Sequence, residues 1–209
     1  PDGRIRIDAN AAWDVPTAVD ALGRLEDAAG GLEYAEQPTA GLEGLAEVRA
    51  RSGVRIAADE AIRRDHAEPA LLREAVDVAV LKVQPTGGIH AALTLAADLG
   101  LPVVVSSALE TSVGLAAGVR LATALPELPF ACGLGTGLLL AEDVVERPIR
   151  PVEGRIDRGA ARAPTVGAGS ERSPVEADLL EHLTRRLHRV RPLVPTGPVG
   201  PRAPTSGFG

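Results

Sequence analysis

Six short apolar runs recur along this chain, and each closes on a group able to carry chemistry: Asp8, Glu36, Asp59, Lys82, Ser106 and Gly133. The intervals are 28, 23, 23, 24 and 27 residues, each holding a stretch with helical apolar spacing. Strands are expected over Arg4–Asp8, Leu32–Glu36, Val54–Ala58, Val78–Lys82, Val103–Ser106 and Phe130–Gly133. Strand–helix units of this length imply parallel strands joined by right-handed crossovers. An open doubly wound sheet gathers its functional groups at one crevice, whereas a barrel turns every strand end to the same mouth. One functional end per unit favours the barrel. A closed barrel of this kind has eight strands, so six predict a partial (β/α)8 barrel comprising strands 3 to 8. The sequence opens on Pro1 and contains no methionine, and so reads as the back part of a longer protein.

The intervening segments read as helices. Asp14 is placed to cap one whose apolar face is Val19, Leu22 and Leu25. Others follow through Leu42, Leu45 and Val48, through Leu71 and Leu72, from Gly87-Gly88 to Leu99, and over Gly114–Leu125. The barrel portion is expected over residues 1–147, followed by an extended return segment over 148–158. Residues 159–209 carry seven arginines against four acids, a charge of +3, leaving −9 on the first 158. Seven prolines and seven glycines there predict a largely disordered tail, with one amphipathic helix within Pro174–Val190.

Composition narrows the function classes. No apolar run approaches the ~20 residues of a membrane-spanning helix, so no membrane partner is expected. A net charge of −6 and four aromatic residues argue against a nucleic-acid partner. Cys132 is the sole cysteine and cannot form an internal disulfide, which makes the reducing cytoplasm the expected compartment. Oligomeric state is left open.

Three carboxylates on successive parallel strand ends repel one another, and a hard divalent cation relieves that repulsion. Mg²⁺ prefers such oxygen ligands and keeps open positions for substrate. Asp8, Glu36 and Asp59 are therefore candidate metal ligands; the alternative is that each pairs with an arginine or caps the next helix. Lys82 is the only lysine among 22 basic residues and closes an apolar run, which marks it as the candidate catalytic group. A salt bridge to Asp59 or Glu60 would be compatible with that role. Asn10, the only asparagine, lies two residues past Asp8, where it either orients a ligand by hydrogen bonding or is a simple loop amide; Glu60 lies beside Asp59 in a supporting position.

Asp8-Ala-Asn, Glu36-Gln-Pro, Ala58-Asp59-Glu60 and Leu81-Lys82-Val83, in this order, resemble the third to sixth strands of the enolase superfamily, in its muconate-lactonizing branch. The resemblance covers about residues 1–156. It implies that Asp8, Glu36 and Asp59 bind Mg²⁺, and that Lys82 is one of two lysines flanking the substrate, the other coming from the second strand. The shared step is removal of a proton next to a carboxylate, giving a metal-stabilised enediolate. The stretches LKVQPTGGI, VVVSSALETSVGLAAG and ELPFACGLGTG are similar to the dehydratases of that branch. They imply loss of water from 2-succinyl-6-hydroxy-2,4-cyclohexadiene-1-carboxylate in menaquinone synthesis, with Ser106, Ser107 and Gly133 lining the pocket. Racemases and dipeptide epimerases of the branch are the alternative. The epimerases carry an Asp-x-Asp on the eighth strand, and here Cys132-Gly133-Leu134-Gly135 has no acid. Neither the second-strand Lys-x-Lys nor the N-terminal capping domain of the family is among these 209 residues, so an inactive barrel fragment is the non-enzymatic alternative.

Overall fold

The computed structural model describes residues 3–63, 67–162 and 177–190. The chain divides into two compact units, Pro1–Gly167 and Ala168–Gly209. In the first unit the elements run β1 (Ile5–Asp8), α1 (Val15–Ala29), β2 (Leu32–Glu36), α2 (Leu42–Ser52), β3 (Ile56–Ala58), α3 (Glu60–Arg63), α4 (Pro69–Ala75), β4 (Val78–Lys82), α5 (Val83–Thr86), α6 (Ile89–Leu99), β5 (Val103–Ser106) and α7 (Ser112–Ala124). The five strands form one sheet in sequence order with every neighbouring pair parallel, a half-barrel. All charged strand ends therefore face one mouth.

The expected sixth strand, Phe130–Gly133, is reduced to a single bridge between Gly133 and Ser106. Gly133 N–H donates to Val105 O at 2.9 Å, and Ser107 N–H donates to Gly133 O at 3.0 Å. Pro126 and Pro129 bring no N–H to a ladder, and among the described residues no further strand flanks this segment.

Two apolar layers hold the sheet. On the helix side, Leu22, Leu45, Val48, Ile56, Leu72, Leu81, Leu99, Leu115 and Leu121 form one buried cluster. On the concave side, Tyr34, Ala57, Val78, Val80, Val104 and Phe130 form another. Strand alternation distributes β4 between them, Val78 and Val80 inward and Ala79 and Leu81 outward. Burial on both faces is why this run reads as continuously apolar.

The helix boundaries follow local chemistry. Asp14 accepts from Thr17 N–H at 2.9 Å, Pro16 occupies the first turn, and Gly30 closes α1 at φ 68. Of its expected apolar face Leu22 is fully buried, whereas Leu25 stays 37% exposed. No local side chain caps α7. Asp143, 31 residues on, accepts from both Ser112 N–H (3.0 Å) and Ser112 Oγ (2.7 Å), and Ile149 N–H donates to Ser112 Oγ at 2.7 Å. Within the expected return segment, Val152 and Arg155 pair around Glu153 (φ 49) and Gly154 (φ 74), a tight two-residue turn.

The second unit contributes α8, Ala177–Val190, within the span expected to hold a helix. The rest of the expected disordered tail, 163–176 and from 191 onward, lies outside the described residues. Among the described residues no helix is long and apolar enough to cross a membrane.

Candidate active site

The sheet register brings the strand ends together in pairs. Asp8 stands opposite Glu36, and Lys82 opposite Ser106. Past Asp8 the chain turns through Asn10 (φ 47) and Ala11 (φ 61), left-handed values that asparagine tolerates better than most residues. The turn aims Asn10 N–H at Asp8 Oδ1, 2.9 Å away, and Ala11 N–H at Gln37 O, 2.7 Å away. Asn10 thus orients Asp8 through its backbone amide.

Glu36 is the carboxylate most disturbed by its surroundings. Burial, and next the neighbouring Asp8 carboxylate, push it up to about 7; Asp59 and Glu60 add to the rise and Lys82 opposes it. Asp59 is 1% exposed. Its Oδ2 accepts from Lys82 Nζ at 2.6 Å and its Oδ1 from Arg63 Nε at 2.9 Å. Arg63 also donates to Glu60 Oε1 at 2.6 Å, because the single turn of α3 sets it three and four residues past the two acids. Glu60 Oε2 is buried without a hydrogen-bond partner.

The sequence motifs contained one residue whose part they did not disclose. Gln37 is fully buried at φ 37. Its Oε1 accepts from Asp59 N–H (3.0 Å) and Ala61 N–H (3.1 Å), and its Nε2 donates to Thr39 O (2.9 Å). The end of β2 thereby fixes the backbone from which Asp59 projects. The available signal was a polar amide between an apolar strand and Pro38.

The three expected metal ligands do not enclose a common site as placed, because Asp59 is turned toward Lys82 and Arg63. Among the described residues, no three His, Cys, Asp or Glu side chains are grouped to hold a metal ion. The donor chemistry nevertheless fits a hard divalent cation. Asp8, Glu36, Asp59 and Glu60 bring four carboxyl groups together against the two cations Lys82 and Arg63, and a divalent ion among them would favour the ionised form of Glu36. Each Asp59 oxygen keeps a lone pair beyond its present hydrogen bond, and Glu60 Oε2 is orphaned.

Ser106 Oγ lies 3.4 Å from Gly133 O, leaving it weakly engaged at the mouth. Ser107 is buried; its Oγ donates to Gly133 O at 2.8 Å and shares a 2.8 Å hydrogen bond with Thr136 Oγ1. That hydroxyl holds the Gly133 segment in place. A Cβ on Gly133 would stand 2.7 Å from Ser106 Oγ, so a larger residue there would displace that hydroxyl. Burial raises the Cys132 thiol, which makes it a poor nucleophile at neutral pH.

Residues 1–171 match the family described as enolase C-terminal domain-like. The o-succinylbenzoate synthase of Thermobifida fusca (strain YX) is 62% identical over 156 residues, covering 74% of this chain and 48% of that protein. The o-succinylbenzoate synthase of Mycobacterium tuberculosis (strain H37Rv) is 52% identical over 174 residues, covering 80% and 53%. The muconate cycloisomerase from Pseudomonas fluorescens superposes with a TM-score of 0.69 at 29% identity, over 79% of this chain and 46% of that one. The chain spans about half the length of the curated relatives it matches.

Proposed function

The chain belongs to the enolase C-terminal domain-like family, and from that membership we propose that it is barrel portion of an o-succinylbenzoate synthase. The reaction is dehydration of 2-succinyl-6-hydroxy-2,4-cyclohexadiene-1-carboxylate to o-succinylbenzoate, a step of menaquinone synthesis, in the cytoplasm. The observation that carries this reading is the meeting of Lys82 with Asp59 at 2.6 Å, beside Glu36 and Asp8, on one end of a parallel sheet. The identity of the chain to two synthases supports the choice of reaction over racemisation or epimerisation.

Asp8, Glu36 and Asp59 would hold Mg²⁺, which when bound supplies positive charge where the substrate carboxylate becomes electron-rich. Lys82 sets its ammonium against one face of the substrate ring, where it stabilises the negative charge left as the proton departs. It does not itself take that proton. Because Lys82 is the only lysine in this sequence, the reading requires a second lysine from outside these 209 residues, acting first as base and then as acid for the departing hydroxyl. Ser106 offers a hydroxyl to a substrate carboxylate, and Gly133 leaves room for it. Gln37 keeps Asp59 in place, and Asn10 does the same for Asp8.

The test is made in the complete gene product. Lys82→Ala and Asp59→Asn should each lower turnover by about 10²–10⁴-fold with the far-ultraviolet circular dichroism unchanged. Wild-type turnover in either variant overturns the assignment.

A further inference from the structure

Arg63 ends α3, the single turn that follows Asp59. Its backbone N–H, like that of Ile62, donates to Asp59 O at 3.0 Å, and its side chain returns to the same residue. Nε donates to Asp59 Oδ1 at 2.9 Å, and Nη2 donates to Glu60 Oε1 at 2.6 Å. Charge pairs at helical spacing in α1 and α2, Arg24 with Asp20 and Arg51 with Glu47, lie exposed on the surface, where solvent screens them and they contribute little. The Arg63 pairs differ in burial. The Asp59 side chain is 2% exposed and that of Glu60 7%.

Two consecutive buried carboxylates repel each other, and burying them is costly unless both are paired. A guanidinium can serve both, because its donors project from one plane at fixed angles. The fork of Arg63 takes one oxygen from each acid and leaves the other outside it. Asp59 Oδ2 accepts from Lys82 Nζ at 2.6 Å. Glu60 Oε2 is buried without a hydrogen-bond partner among the described residues, a costly state for a carboxylate oxygen. The acid pair, rather than Asp59 alone, thus has unused capacity toward a cation.

We infer that Arg63 is a positioning residue for the cation site: its fork holds Asp59 and Glu60 as one unit, with the second oxygen of each outside the fork. This rests on the proposed reading in that Asp59 is taken as a ligand of the divalent ion. The guanidinium acts on such an ion in two opposed ways. Its charge repels the ion, whereas its hydrogen bonds fix the ligands. The sign of the change on its removal therefore separates a positioning part from a balancing charge.

The complete gene product, stripped of metal, is titrated with Mn²⁺, which takes oxygen ligands in octahedral geometry as Mg²⁺ does. Electron paramagnetic resonance counts free against bound Mn²⁺ without reference to turnover. Arg63→Ala should weaken Mn²⁺ binding by about 10–100-fold. Arg63→Lys, which keeps the charge but not the fork, should weaken it in the same direction, and it carries the test should Arg63→Ala unfold. Arg49→Ala breaks a 2.6 Å pair with Asp77 at the opposite end of β4. It should lower the denaturation midpoint and leave Mn²⁺ affinity unmoved. Unchanged or tighter Mn²⁺ binding in a folded Arg63 variant, or an equal loss in Arg49→Ala, overturns the inference. Asp59→Asn in the same titration judges the reading beneath it. Wild-type Mn²⁺ binding there removes both the ligand assignment and the part of Arg63, whereas lost binding there with Arg63→Ala unaffected removes the part of Arg63 alone.

Discussion

Glu36 is held near neutrality by burial and by the Asp8 carboxylate registered beside it, with its carboxyl pushed up to about 7. In the unfolded chain it titrates near 4.5, so between these values the folded state holds a proton the unfolded state has released. Its contribution to stability is full below pH 4.5 and is lost as pH rises through 7, an effect on the order of 3 kcal/mol. Glu36→Gln should remove that loss: its urea midpoint at pH 8 exceeds that of the wild type, while the two agree near pH 4. Equal midpoints at pH 8 would refute the origin assigned to the shift. Millimolar Mg²⁺ should raise the wild-type midpoint at pH 8 and leave Glu36→Gln nearly unmoved. Its neighbour Gln37 works by hydrogen bonding alone. Gln37→Leu leaves the buried N–H groups of Asp59 and Ala61 without acceptors, a loss of about 2–4 kcal/mol, measurable as a lowered denaturation midpoint. Asp59, Glu36 and Lys82 were legible in the sequence because each ends an apolar run at a regular interval. Gln37 was not, because its part depends on backbone partners across the neighbouring strand that no local pattern encodes.

At the level of elements, five of six expected strands form, and the exception has a local cause. Val103–Ser106 was legible as a strand because burial on both faces leaves a continuous apolar run. Phe130–Gly133 is less continuously apolar and only partly buried, follows Pro129, and joins β5 by one bridge alone. α7 shows the complementary case. Its span was readable from apolar spacing, but its N-terminus is completed by Asp143, whose partnership with Ser112 is set by the folded path of the chain. Here a side-chain carboxylate meets the Ser112 N–H and the positive end of the helix dipole. Asp143→Ala should therefore cost about 1–2 kcal/mol. It should also raise protease cleavage within 140–149, since the Ile149 N–H bond to Ser112 Oγ depends on the same hydroxyl. Unchanged cleavage there, with the midpoint unmoved, would show that the segment is held by Ile149 burial alone.

Across the whole barrel unit, the alternation of strands and helices foretold a curved parallel sheet, but the link across its concave side could not be read from any segment. Arg6, on β1, stacks its guanidinium 4.8 Å from the Tyr34 ring centroid and 5.9 Å from that of Phe130. Its Nε donates to Glu33 Oε2 and its Nη1 to Ala131 O at 2.7 Å, 125 residues away in sequence. Tyr34 and Phe130 meet edge to face at 5.6 Å beneath it. One planar cation thus ties the first strand, which ends in Asp8, to the segment that two residues later places Gly133 beside Ser106. Lysine would keep the charge but not the fork that serves Glu33 and Ala131 together. Arg6→Ala and Arg6→Lys should therefore loosen both distant pieces at once. By amide hydrogen exchange, the protection of Ile7 in β1 and of Gly133, whose N–H is bonded to Val105 O, should each fall by about tenfold, the equivalent of a 1.4 kcal/mol loss. If Ile7 loosens while Gly133 keeps its protection, the two rims of the mouth are held independently, and Arg6 serves only its own strand.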